Sequence, residues 1–192
     1  MEYKLMIPPN EISKISELSK KEAKEHFEWY ISQIPIRLEQ LENYVKYTTK
    51  NNFKFDKSVD SLIYLWKWFE TIIETERKTK IELEKELENL PEWLHEQIKI
   101  NNIKPTTFTL SICLDIGIYF SETLIYNNPS IKWDYIKTSK KNISFNKPVL
   151  VGFKNGLEFE PSRILNVCLN ESIKKHNGMI LRELYDIWVN NI

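Results

Sequence analysis

The chain is predicted to be an α+β protein: an N-terminal helical part packed with a small antiparallel sheet of about three strands, a buried central helix and two C-terminal helices. Three observations predict this. Helical spacing of apolar residues runs through the first half. An almost wholly apolar stretch spans Thr106 to Asn127. After Asn127-Asn128-Pro129 the period shortens and β-branched segments begin. Residues 1–105 form the helical part and 106–192 the α+β part, and at 192 residues the two are expected to make one compact unit.

The segment through Ser16 reads as an irregular arm with one helical turn after Pro9. Ser19-Lys20-Lys21-Glu22 has capping-box spacing, followed by Ala23, Phe27, Tyr30, Ile31 and Ile34 at helical intervals. Pro35 should end or kink that helix, and Leu38, Leu41, Tyr44 and Val45 carry one face onward to Tyr47. The polar stretch Thr48 to Lys57 is a loop. Ser58 can cap the next helix, with Leu62, Leu65, Trp66, Phe69, Ile72 and Ile73 on its core face.

From Glu76 to Leu90 the chain is at its most charged and fits a solvent-exposed helix whose inner edge is Ile81, Leu83, Leu87 and Leu90. Pro91 suits the first position of a short helix through Trp93, Leu94 and Ile98. Asn101-Asn102 and Pro105 make a loop. Ile131 to Ile136 alternates in part and reads as a strand, as does Pro148 to Phe153 with its run of Val149, Leu150 and Val151. Asn155-Gly156 is a two-residue hairpin signal leading into Leu157-Glu158-Phe159. Pro161 opens a helix carrying Ile164, Leu165, Val167, Cys168 and Leu169. Asn177-Gly178 breaks it before a last amphipathic helix, Met179 to Val189.

The apolar stretch carries a single polar stripe. On a helix, Asp115, Tyr119, Glu122 and Tyr126 fall at i, i+4, i+7 and i+11 and stack on one face. A helix apolar nearly all round is buried, so its carboxylates need partners. Arg163, or lysines from the 132–154 segment, are the expected ones, holding the helix to the sheet. This stripe, with Trp133 and Arg163, is the candidate binding site. As catalysis, two carboxylates one or two turns apart could divide acid and base roles. No nucleophile, phosphate cradle or metal spacing accompanies them, so no catalytic residue is assigned.

Lys plus Arg equals Asp plus Glu at 27 each, so nothing global favours nucleic acid or an anionic membrane. Locally, Glu70 to Glu96 holds nine Glu against Arg77, Lys78, Lys80 and Lys85, a net of −5. Lys132 to Lys154 holds six Lys against Asp134, a net of +5. Either these are a solvated helix face and a lysine-rich hairpin that attract each other, or one of them receives a partner of opposite charge. Lys140-Lys141 near Tyr135 and Phe145 has an aromatic-basic flavour, but a lysine-studded edge strand that resists aggregation explains it better. Cys113 and Cys168 sit in apolar contexts and make neither a disulfide framework nor a zinc site. His26, His95 and His176 lack metal-ligand spacing, so no metal or cofactor is expected. The segment Met1 to Pro9 lacks a signal peptide's basic and apolar regions. No uncharged apolar run reaches the ~18 residues of a membrane span. The expectation is a cytoplasmic protein.

Aromatic density is the other notable feature. Trp66 and Trp68 lie about 200° apart around a helix, so one narrow stripe cannot bury both. One of each aromatic set (Phe27, Trp29 and Tyr30; Tyr64, Trp66, Trp68 and Phe69) should therefore lie near the surface or in a groove. Exposed aromatics are favoured interface anchors.

Two stretches carry a resemblance: Lys21 to Tyr30 (Lys-Glu-Ala-Lys-Glu-His-Phe-Glu-Trp-Tyr) and Ser61 to Glu70 (Ser-Leu-Ile-Tyr-Leu-Trp-Lys-Trp-Phe-Glu). They resemble small uncharacterised proteins of low-GC Gram-positive bacteria. Leu114 to Glu122, Trp133, and Lys147 to Phe153 are similar to a helix–strand–strand unit of bacterial families, some of which accompany secreted toxins as immunity proteins. The usual pattern has Gly where this chain has Ser121. The resemblance implies a non-enzymatic protein acting by protein binding, with a toxin as the specific partner. The competing expectation is a small-molecule-binding or hydrolytic protein using Asp115 and Glu122. A third, an assembly subunit, would use the closing helix. Oligomeric state stays open.

Overall fold

A computed structural model describes residues 2–8, 14–49, 53–95, 97 and 100–192. The turn expected directly after Pro9 and the contact expected of Ile98 lie outside the described residues. A 3-10 turn does form at Ile15–Glu17.

Helix α1 spans Lys20–Thr49. Its start is the expected capping box: the Ser19 N–H donates to Glu22 Oε2 at 2.8 Å, and the Glu22 N–H donates to Ser19 Oγ at 3.3 Å. Pro35 lies inside this 30-residue helix and does not end it. Ile34, Leu41 and Val45 are buried on either side of the proline position and its next turns, and this packing carries the helix past the lost hydrogen bond.

Helix α2, Val59–Glu70, is capped by Ser58 Oγ accepting from the Ser61 N–H. Both Trp66 and Trp68 are buried, and the member of the set that lies at the surface, as one was expected to, is Tyr64. The geometry behind that expectation holds, and both indoles are buried because α2 is covered on two sides. Trp68 Nε1 donates to Thr48 Oγ1 of α1 at 2.9 Å. Trp66 Nε1 donates to Ser172 Oγ at 3.0 Å. Ser172 in turn donates to Glu70 Oε1 at 2.8 Å, which also accepts from the Asn177 N–H at 2.7 Å. Glu70 is thus a buried acceptor, not part of a solvated acidic face.

The stretch after Ile73 departs from the expected single helix. Thr75–Arg77 forms β1, which pairs antiparallel with β2, Ile103–Pro105, in the register Thr75↔Pro105. Three-residue strands are too short to show alternation in sequence. Helix α3, Lys80–Glu88, lies between them, opened by a second capping box at Thr79 and Glu82. Lys104 on β2 binds both Glu76 at 3.2 Å and Glu82, and Lys78 lies 2.6 Å from Glu86. Lys78 and Lys104 thus pair with three glutamates of the acidic segment from nearby. Among the described residues no ion pair joins it to the lysine-rich 132–154 segment.

Helix α4, Thr107–Asn127, is the hub: it packs on α1, α2, α5, α6 and β2. By length and composition it could cross a membrane, a test it passes despite Asp115 and Glu122, and it lies buried within the fold. Strands β3, Lys132–Tyr135, and β4, Pro148–Val151, pair antiparallel with Trp133 opposite Leu150. Trp133 and Tyr135, two residues apart, share a face of β3. Their rings meet Tyr30 and Phe27 of α1 at 5.5 Å and 5.0 Å. The Asn155-Gly156 turn forms with both residues at positive φ, 56° and 68°, closed by the Leu157 N–H on the Lys154 carbonyl at 3.1 Å. The expected third strand shrinks to one bridge, Phe159 with Leu150. Phe120 of α4 stacks on Phe159 at 5.3 Å, so α4 does cover the sheet.

Helices α5, Pro161–Lys174, with Pro161 in its first turn, and α6, Ile180–Val189, close the structure. One apolar cluster joins Leu41, Leu62 and Trp66 to Ile116, Phe120, Leu150 and Leu181, so the 1–105 and 106–192 parts share a core. Both cysteines are buried in it or at its edge, and free.

Gly152 holds the turn that leaves β4. Its φ is +111°, and a Cβ there would stand 2.3 Å from the Ser130 carbonyl oxygen. We expect Gly152→Ala to lower unfolding free energy by about 1–3 kcal/mol in urea titration; an unchanged midpoint would show that the turn relaxes freely.

Candidate functional site

The predicted stripe on α4 exists as one face, and its four members meet different fates. Asp115 is fully buried. Its Oδ1 accepts from Arg37 Nε at 2.8 Å and its Oδ2 from Arg37 Nη2 at 2.6 Å, a two-pronged pairing that suits the planar guanidinium. The Tyr3 hydroxyl also donates to Oδ2. Arg37 is spent in turn: Nη1 donates to the Lys4 carbonyl at 2.9 Å, which accepts from Gln40 Nε2 at 2.7 Å as well. The Tyr3 ring stands edge-on to Tyr44 at 5.0 Å and Phe108 at 6.2 Å. The N-terminal arm is thereby anchored in the core by one ring and one carbonyl.

One turn on, the Tyr119 hydroxyl accepts from the Lys57 N–H at 3.0 Å and shares a hydrogen bond with Ser61 Oγ at 2.7 Å. Lys57 has φ +57°, unusual for a side chain with a Cβ. Its backbone is held there from both sides, because Asn127 Nδ2 donates to its carbonyl at 3.0 Å. The turn directs Lys57 Nζ to within 3.2 Å of Glu122 Oε2 and 5.8 Å of the Tyr126 ring centre. Glu122 Oε1 accepts from Trp133 Nε1 at 3.0 Å, so Glu122 does tie helix to sheet. Tyr126 is two-thirds exposed.

Of the predicted site residues, Asp115, Tyr119, Glu122 and Trp133 come together along this face; Arg163 does not. The basic partners also differ from those expected: Arg37 takes Asp115, and Lys57 takes Glu122. Arg163 lies half exposed, its Nε 3.5 Å from Glu160 Oε2, in a separate cluster where the buried Glu160 also accepts from Ser144 and Lys147. The signal for Arg37 was present. Ile34, Arg37, Leu41 and Val45 share one buried face of α1, and a cation on an apolar stripe asks for a buried acid. Tyr3 had no such signal, because an irregular arm has no period.

Burial pushes the Asp115 carboxyl above its ordinary value, while the hydrogen bonds and charge of Arg37 and the Tyr3 hydroxyl pull it back. Burial raises the Tyr3 phenol strongly, with the Asp115 charge adding to it. Tyr30 is raised as well, by burial first and then by the fields of Asp115 and Glu122. Asp115 thus sits among phenols that stay protonated, of which Tyr3 donates to it, and not among groups that shuttle protons near neutrality. Among the described residues no three His, Cys, Asp or Glu side chains gather as a metal would require. Ser121, beside Glu122, is buried and donates back to the Gly117 carbonyl at 2.8 Å, which leaves its hydroxyl occupied.

The two acid pairs should differ sharply in worth. Arg37→Met strands a buried carboxylate and is expected to cost about 3–5 kcal/mol. Lys57→Met breaks a pair whose side chains are 32% and 18% exposed, and should cost about 1 kcal/mol or less. Urea denaturation of both variants checks this, and equal losses would contradict it.

Compared with family models, curated proteins and solved structures, the chain matches none of them.

Proposed function

We propose that this is a non-enzymatic protein that acts in the cytoplasm by binding another protein. The observation that carries the reading is the internal engagement of the acids on the α4 stripe. Asp115 spends both oxygens on Arg37 and Tyr3, and Glu122 spends both on Lys57 and Trp133. A general acid or base must reach a substrate proton; these reach their own chain. Large aromatics meanwhile stand in solvent: Tyr64 at 64%, Trp93 at 68% and Tyr126 at 67% exposure. Rings of that kind are efficient anchors in protein interfaces. Leu114–Glu122, Trp133 and Lys147–Phe153 resemble a unit of bacterial families some of which accompany secreted toxins as immunity proteins, and this makes a toxin the specific partner proposed.

The test is reconstitution. The tagged full-length chain is expected to retain a protein partner from its native host, to form a stoichiometric complex with that partner once both are purified, and to do so equally well as Glu122→Gln. A partner encoded beside this gene, with a secretion module and a toxic C-terminal domain, would support toxin neutralisation. A chain that stays alone, or a Glu122→Gln variant that loses a small-molecule-induced thermal shift while remaining folded, would overturn the reading.

A further inference from the structure

At the N-terminal end of α1 a concavity of about 450 Å³ opens between the start of the helix and the loop joining β3 to β4. Lys20, Lys137 and Lys140 line it, with Tyr135 and Phe145, and no carboxylate is among its lining residues. Its wall is a fixed structure. Asn146 adopts φ +64° and is 3% exposed. Its side chain donates to the Ile15 and Leu18 carbonyls at 3.2 Å and 3.0 Å, and its N–H to the Ile136 carbonyl at 2.9 Å. That residue pins the lysine-bearing loop to the segment before α1. Phe145 is buried with Ile136 and Val149, and the Tyr135 ring rests on Phe27.

Three lysines therefore line a pre-formed hollow. Lys137 leans over the Tyr135 ring at 4.2 Å and reaches Asp134 at 3.0 Å. Lys20 and Lys140 have no ion pair among the described residues. Lys78 and Lys104 pair with three glutamates of the acidic segment elsewhere, and no ion pair among the described residues brings that segment here. Asp134 answers only Lys137, so Lys20 and Lys140 leave an excess of positive charge at the hollow, and an acidic partner relieves it while being steered in by it.

We propose that this concavity is the docking surface for a carboxylate-rich segment of the protein's binding partner, with Lys20, Lys137 and Lys140 meeting its acids and Tyr135 and Phe145 receiving a side chain between them. The inference rests on the binding-protein reading and names the partner's chemistry. Lysines are point charges that meet carboxylates without needing a forked geometry. The hollow has room for several side chains, and its aromatic wall has no use for a bare inorganic anion.

The probe is a fluorescein-labelled ten-residue peptide alternating Glu with Leu and Tyr, titrated with the full-length chain at low salt and read by anisotropy. Binding should be saturable and should weaken about tenfold or more in K20E/K140E, with K20Q/K140Q falling between. K85E/K175E changes the net charge equally at exposed lysines outside the concavity and should stay within about twofold of the parent. Thermal midpoints confirm that each variant folds. Equal loss in K85E/K175E, absence of saturable binding, or displacement of the peptide by millimolar inorganic phosphate at matched ionic strength would each overturn the proposal. A natural partner that K20E/K140E retains undiminished would overturn this docking surface and leave the binding reading intact. Selective peptide binding by a chain that forms no complex with any host protein would remove the binding reading instead.

Discussion

A carboxylate without access to water sits in the middle of the most apolar helix of this protein, and the arrangement of everything around it follows from neutralising that charge. Asp115 has to be met by a cation, and α1 supplies Arg37 from a distance of 78 residues in sequence. The guanidinium then has donors left over, and the arm supplies the Lys4 carbonyl to take one. Tyr3 completes the second oxygen and carries its ring into the core beside Tyr44 and Phe108. One buried charge thus sets the approach of α1 to α4 and the path of the N-terminal arm. A buried ion pair need not add net stability, because desolvation offsets much of its attraction. What it does here is make a slipped or rotated packing of α1 on α4 costly, since a shift by one residue would leave both charges alone in an apolar interior.

Along the same helix the polar stripe grades from closed to open. Asp115 is sealed, Tyr119 is sealed but bonded to a loop backbone, Glu122 is partly wet, and Tyr126 stands out in solvent. The grading explains why the stripe suggested a site in sequence and serves as a framework in three dimensions. Its inner members hold helices together, and only its outer end faces anything a partner could touch. A protein whose clustered acids are consumed internally has its remaining chemistry on its surface, in exposed rings and in one basic hollow.

Much of the architecture was legible because long elements carry long signals. The capping box at Ser19, the Ser58 cap, the Asn155-Gly156 turn and Pro161 at a helix start are local, and each formed. The β1–β2 pair was not legible, since three residues cannot display a period and pairing partners 26 to 30 positions apart leave no mark on one another. Trp66 and Trp68 show a different limit. Their angular separation was correct, yet whether a second face is buried depends on what packs there, and α1 and α5 came from distant sequence. The stripe was readable for the same reason as the helix, whereas its partners were not. Arg37 does stand out on the apolar face of Ile34, Leu41 and Val45, but nothing local ties it to Asp115 or marks Lys57, so only the fold could select these two over Arg163.

The account stands on the coupling between Asp115 and Arg37, and a double-mutant cycle measures it most directly. Unfolding free energies are needed for the parent, Arg37→Met, Asp115→Leu and the double variant. If the two charges exist to answer each other, the apolar pair recovers most of what either single change loses, giving a coupling of at least about 2 kcal/mol. Losses that simply add would mean the two side chains are independent, and the packing of α1 on α4 would need another cause.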